Sequence, residues 1–172
     1  MSDAIETMWS GRWLRAMRRG KWEYAARRDD IHAAVIVAIT DAGEVVLVEQ
    51  PRVPLAARSI ELPAGLVGDE DADETLEDAA ARELEEETGY RCERIERLGT
   101  FASSPGMTSE TFTLVRAHGL TKMGDGGGHE GEDIIVHLVP RAGDAAFVAA
   151  KREEGYAVDV KMLVLLAGTL VP

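Results

Sequence analysis

A single cysteine, Cys92, stands in 172 residues, so no internal disulfide framework can staple this chain, and the usage fits a reducing compartment. Positive charge is also scarce: 19 Lys and Arg face 31 Asp and Glu, for a net charge of −12. So acidic a surface excludes broad binding to nucleic acid or acidic membranes, because phosphate contacts need a basic face. A small anion can still be held through a metal ion and a few arginines. No apolar run approaches the roughly 20 residues of a membrane span; the longest, residues 162–167, suits a soluble core. The opening stretch MSDAIETMWSGRW lacks the apolar segment of a signal peptide, so a cytoplasmic location is expected. There is no internal repeat. The remaining composition, 45% apolar and 29% charged, is that of one globular domain or a domain with an appendage.

What the chain has in abundance is carboxylate in one place. Residues Gly68 to Tyr90 read GDEDADETLEDAAARELEEETGY. Thr75 is a natural N-cap, acidic residues crowd the first turn where the helix dipole favours them, and Gly89 suits the left-handed residue that closes a helix. At 100° per residue, Glu83, Glu86 and Glu87 fall within about 100° of one another, on the side of Leu76, Ala79 and Ala80. Glu74, Asp78 and Glu85 point the other way. A structural helix would carry Leu or Ala where those three glutamates stand. Like charges at this spacing cost roughly 0.2–0.5 kcal/mol per pair on an exposed helix, and more when desolvated, so a positive charge is expected beside them. A solvated acidic face explains Asp78 and Glu85 but not the three on the apolar side. Oxygen ligands with no cysteine or histidine pair nearby suit Mg²⁺, with Mn²⁺ as substitute, rather than Zn²⁺. Metal-assisted phosphoryl transfer to water is the chemistry this suggests.

Glycine, five residues, glutamate, seven residues, then Arg-Glu-apolar-x-Glu-Glu-x-Gly-apolar resembles the signature of the Nudix hydrolases. Gly68, Glu74, Arg82, Glu83, Leu84, Glu86, Glu87, Gly89 and Tyr90 match it without a gap. The resemblance implies that Glu83, Glu86 and Glu87 are metal ligands, Glu86 counting also among the catalytic residues. Gly68, Glu74, Arg82 and Gly89 would brace the loop and helix. Gln-x-Arg at 50–52 followed by Glu-Leu-Pro-Ala-Gly at 61–65 resembles the ADP-ribose pyrophosphatase branch. By that resemblance Arg52 contacts substrate, Glu61 lies near the metal site and the Ala64 carbonyl is a further metal ligand. Pro105, fifteen residues after Tyr90 and followed by Gly-x-x-x-Glu, is the branch's secondary mark and brings in Glu110. In the glycine-rich stretch 121–133, TKMGDGGGHEGED, the branch implies Glu130 as catalytic base and Glu132 as assisting ligand, with an exchange of roles open. The stretch reads as a mobile lid, with His129 solvated. Taken by itself it could equally be a disordered acidic loop.

The rest of the chain frames these motifs. RWLRAMR and KWEYAAR, either side of Gly20, alternate as a β-hairpin in a basic, aromatic segment, residues 1–30. It reads either as an edge sheet with solvated arginines or as a dimer arm whose Trp22 offers a platform for a base; family resemblance favours the arm. Residues 31–172 would form the hydrolase domain. Strands are expected at 33–40, 45–50, 95–101, 111–118 and 134–139, and helices at 142–155 and 158–170. His32, His118 and His137 read as structural, and Cys92 as inert. The expected fold is an α/β/α sandwich with a mixed sheet and an N-terminal β extension. The resemblance implies Mg²⁺-dependent hydrolysis of a nucleoside diphosphate sugar by a homodimer, ADP-ribose to AMP and ribose 5-phosphate. GDP-mannose or another nucleotide sugar is the rival substrate. A non-catalytic module that senses nucleotide sugars is the rival class.

Overall fold

The structure, a computed structural model, describes residues 4–28, 31–68, 73–129 and 131–170. Its centre is strand β4 (His32–Ala38), whose residues Ala34 to Ala38 are buried. An unbroken apolar run is what a strand covered on both faces requires, and alternation divides it. Ala34, Ile36 and Ala38 pack with Ala80 and Leu84 of helix α1 (Leu76–Thr88). Val35 and Val37 pack on the other side with Val148 of α2 (Asp144–Glu153) and Leu165 and Leu166 of α3 (Leu163–Leu170). Helices thus cover both faces, and the fold is an α/β/α sandwich.

Mixed pairing is shared between two four-stranded sheets. In the first, β4 lies parallel to β10 (Thr111–His118) and antiparallel to β7 (Ala64–Val67), and β9 (Arg94–Ala102) closes the edge beside β10. In the second, β5 (Glu44–Arg52) sits between β12 (Ile135–Pro140) and β6 (Ala57–Glu61), and β13 (Ala157–Val158) runs parallel to β6. A short ladder joins β8 (Tyr90–Arg91) to β11 (Thr121–Lys122).

Three expectations are corrected. The N-terminal hairpin is a three-stranded antiparallel sheet, because β1 (Ile5–Ser10) adds to β2 (Leu14–Arg19) and β3 (Trp22–Arg27). Segment 158–170 is not one helix. Val158 is still in β13, Asp159 caps a 3₁₀ turn at Val160–Met162, and only then does α3 begin. Nor is the glycine-rich stretch a free lid. The amides of Gly127 and Gly128 donate to the carbonyls of Glu87 and Glu86, at 2.9 and 3.0 Å, and satisfy the open end of α1. Gly126 lies so near the helix that a Cβ would meet the Thr88 carbonyl carbon at 2.4 Å. Glycine serves close approach here, not mobility.

Of the isolated histidines, His32 bonds Thr113 at 2.7 Å, His118 bonds Glu96 at 2.6 Å and His137 bonds Glu49 at 2.9 Å. Burial pushes the Cys92 thiol up, away from the reactive thiolate.

Candidate active site

Helix α1 presents the acidic cluster because its ends are fixed. Thr75 Oγ1 accepts the Asp78 amide at 3.2 Å, and Gly89, at φ 70°, turns the chain out while its amide donates to the Glu85 carbonyl at 2.7 Å. Between these caps Ala79, Ala80 and Leu84 anchor the inward stripe, and Glu87 continues it, 6% exposed. Glu83 and Glu86 border the same side, with side chains 15% and 25% exposed.

The Glu87 carboxyl is strongly perturbed. Burial drives its carboxyl up from 4.5 to about 8; the Ala64 amide, donating to Oε2 at 3.1 Å, pulls it down, while the charges of Glu83 and Glu132 push it further up. Arg52 opposes the rise. Glu83 lies directly over Gly65, where a Cβ would stand 2.0 Å from its Cδ. The Glu-Leu-Pro-Ala-Gly segment therefore brings backbone onto carboxylate, which any side chain at position 65 would prevent.

Arg82 organises the outer carboxylates. It donates to Glu74 through Nε at 2.9 Å and a terminal nitrogen at 3.2 Å, and to Glu83 and Glu86 at 3.2 and 3.0 Å. Those bonds, Glu74 first, raise its pKa still further. Glu74, expected to face away, is drawn to 12% exposure by this clamp. His129 is 61% exposed, yet not merely solvated: its Nε2 lies 3.1 Å from Glu86 Oε2.

A cavity of about 390 Å³ opens beside α1. Glu61, Glu83, Glu87, Glu110 and Glu132 line it together with Arg27, Arg52 and Lys161, five carboxylates against three cations. Ala64, Gly65, Ser103 and Phe112 are among the other residues of its wall. Arg52, at the end of β5, makes a two-pronged bond to buried Glu61 at 2.7 and 2.6 Å, which raises the Arg52 pKa. Arg27 of the N-terminal sheet reaches Glu110 at 2.5 Å, and Ser103 reaches the same carboxylate at 3.2 Å. Trp22 and Pro105 are not in this cavity. They share a neighbouring depression with Arg19, Tyr24 and Gly106. Glu130 lies outside the described residues.

The oxygen donors fit a hard divalent cation. An excess of carboxylate repels a diphosphate unless a cation intervenes, and burial holds the Glu87 carboxyl near its protonation point. Among the described residues no three acidic, histidine or cysteine side chains are gathered as a cation cage; Arg82 holds Glu83, and His129 lies against Glu86.

Residues without a local sequence signal complete the arrangement. Arg58 of β6 donates to buried Glu49 at 2.6 Å and to Asp133 through its carboxylate at 2.5 Å and its carbonyl at 2.9 Å. His137 and Lys151 also bond Glu49, at 2.9 and 3.2 Å. The segment carrying Glu132 is thus tied at one end to α1 by glycine amides and at the other to β6 by Arg58. Only the three-dimensional meeting of β5, β6, β12 and α2 creates this hub.

Comparison with known proteins agrees with the geometry. A sequence profile described as NUDIX domain matches residues 30–138. The methanol dehydrogenase activator of Bacillus methanolicus is 42% identical over 124 residues, 72% of this chain and 65% of that protein. The ADP-ribose pyrophosphatase of Bacillus subtilis is 37% identical over 89 residues, 52% of this chain and 46% of that protein. The chain therefore spans less than two thirds of the length of these two relatives. An ADP-ribose pyrophosphatase of Escherichia coli is 32% identical over 161 residues, 80% of this chain and 74% of that protein. A solved structure of an ADP compounds hydrolase shares the fold, with TM-score 0.70 and 22% identity over 97% of this chain and 91% of that one. With the profile spanning more than half of its length and the signature helix folded against a carboxylate-lined cavity, the chain belongs to the NUDIX domain family.

Proposed function

We infer that the protein hydrolyses the diphosphate of a nucleoside diphosphate sugar, with ADP-ribose the first candidate, giving AMP and ribose 5-phosphate. One observation carries this reading: the cavity joins the signature glutamates Glu83 and Glu87 to Arg52, Glu61 and Glu110 of the ADP-ribose-type motifs. Similarity to the ADP-ribose pyrophosphatases of Bacillus subtilis and Escherichia coli supports the same substrate.

Bound magnesium, or manganese in its place, would neutralise diphosphate charge and make a bound water acidic near neutral pH. Glu83, Glu86, Glu87, the Ala64 carbonyl and Glu132 are the groups proposed to hold it. Arg52 then orients the diphosphate with its planar fork, exchanging part of its bond to Glu61 for phosphate oxygen. Glu130 takes the proton of the attacking water and Glu132 assists. Water oxygen bonds to one phosphorus, the bridging P–O bond breaks, and the departing phosphate carries the electron pair. Arg82 holds Glu83 and Glu86 in reach, and Glu110 is aligned by Arg27 and Ser103.

The proposal includes a homodimer formed through the arm at residues 1–30, beside the hydrolase domain at 31–172. Trp9, Trp13 and Trp22 are 60–66% exposed and Leu14 is 47% exposed, an apolar display that a second copy would cover. Trp22 and Pro105 would meet substrate only at the cavity's outer margin. The single cysteine agrees with a cytoplasmic site of action.

The test is turnover of a panel, ADP-ribose, GDP-mannose, NADH, diadenosine polyphosphates and nucleoside triphosphates, with Mg²⁺. Preferred cleavage of ADP-ribose supports the assignment. Preferred cleavage of triphosphates overturns it, and binding without turnover favours a nucleotide-sugar sensor.

A further inference from the structure

Three cations line the cavity, and they are not equivalent. Arg52 and Arg27 are each bound by a carboxylate that lines the same space, Glu61 and Glu110. Lys161 differs: its partner is Asp159, at 2.5 Å, and Asp159 is not part of the cavity wall. Lys161 thus lines the cavity while its counter-charge lies outside the cavity wall.

Lys161 is also built into position. β13 pairs in parallel with β6, Ala157 beside Ser59 and Val158 beside Ile60, and the Asp159 amide donates to the Ile60 carbonyl at 3.0 Å. This register sets Asp159 beside the residue that precedes Glu61. Asp159 then holds Lys161 twice, accepting its amide at 2.7 Å and its ammonium at 2.5 Å. The ammonium stands 5.7 Å from the Phe112 ring centroid, and the side chain is 18% exposed. A long, flexible side chain is thereby ordered before any ligand arrives, which lowers the entropic cost of binding. An ammonium is a compact point charge suited to a single phosphate oxygen, complementing the fork of Arg52.

We propose that Lys161 is a substrate-binding residue whose ammonium contacts a non-bridging oxygen of the diphosphate, with Asp159 as its positioning residue. This rests on the reading of the cavity as a nucleoside diphosphate sugar site. It assigns a substrate contact to a residue beyond 138, where the family profile ends.

The experiment measures calorimetric binding of non-hydrolysable α,β-methylene ADP-ribose in Mg²⁺, alongside KM and kcat for ADP-ribose. Lys161→Gln and Lys161→Met are compared with wild type; the methionine keeps an apolar stem over Phe112. Loss of one charge-assisted bond should raise Kd and KM about tenfold or more, with kcat within about threefold, since a contact made equally in ground and transition states acts on KM. Lys161→Arg should restore most of the affinity, and Asp159→Asn should fall between. Kd within about twofold of wild type in both neutral variants, with melting temperatures unchanged, overturns the assignment. A wild type that binds the analogue but cleaves no nucleotide sugar refutes the proposed reaction, while the Lys161 contact is still decided by Kd. A wild type that does not bind the analogue overturns both.

Discussion

Glu87→Gln isolates the most unusual electrostatic feature of the site. In the metal-free protein the Glu87 carboxyl has its pKa moved from 4.5 to about 8, with burial the largest cause. Below pH 4.5 the folded and unfolded chains both carry the proton. Between 4.5 and 8 only the folded chain does, so the unfolding free energy falls as pH rises through this window and levels above it. At about 1.4 kcal/mol per pH unit, the loss amounts to roughly 4–5 kcal/mol. Glutamine does not titrate and can still accept the Ala64 amide. Urea unfolding in EDTA at pH 5 and pH 8 should therefore show the wild type losing several kcal/mol relative to Glu87→Gln, other titrating groups cancelling in the difference. Magnesium should remove the deficit by binding the ionised form, with release of roughly 0.9 proton at pH 7 in calorimetry. Parallel profiles for the two proteins, within about 0.5 kcal/mol at both pH values, would refute the assignment of a raised pKa to the buried Glu87 carboxyl.

Gly65→Ala places a Cβ on the Glu83 carboxyl, which a flexible side chain can escape by rotating; kcat should drop about tenfold or more, while thermal melting shows a stability change under about 1 kcal/mol. Arg58→Met frees Asp133 and leaves buried Glu49 with His137 and Lys151 alone. Chemical denaturation should register a cost of about 2 kcal/mol, and steady-state kinetics a fall in kcat larger than any rise in KM. Arg52→Lys keeps the charge but loses the fork, so KM for ADP-ribose should rise about tenfold, with binding of adenosine unaffected.

Local patterns made the layers legible. The unbroken run of β4 signalled a strand covered twice, and the spacing of Leu76, Ala79, Ala80 and Glu87 signalled which side of α1 turns inward, because both depend on periodicity alone. The caps at Thr75 and Gly89 were equally readable. What eluded the pattern depends on partners distant in sequence. β13 is two residues long and exists because β6 offers it an edge, so Val158 and Asp159 read as the start of a helix. The glycines at 126–128 suggest mobility until the end of α1 is seen against them. Arg58, Glu49 and Asp133 come from separate strands and a loop, and no spacing links them. In β1, the alternation of Ile5, Thr7 and Trp9 was the available sign of a third N-terminal strand.

The α1 carboxylates are proposed to hold a divalent cation that turnover requires. The most direct measurement is Mn²⁺ binding by electron paramagnetic resonance, paired with ADP-ribose hydrolysis, in wild type and in Glu83→Gln and Glu87→Gln. Bound Mn²⁺ and hydrolysis are expected in the wild type, with both lost in the variants and hydrolysis abolished by EDTA. Hydrolysis that persists in EDTA, or in variants that no longer bind Mn²⁺, would contradict it.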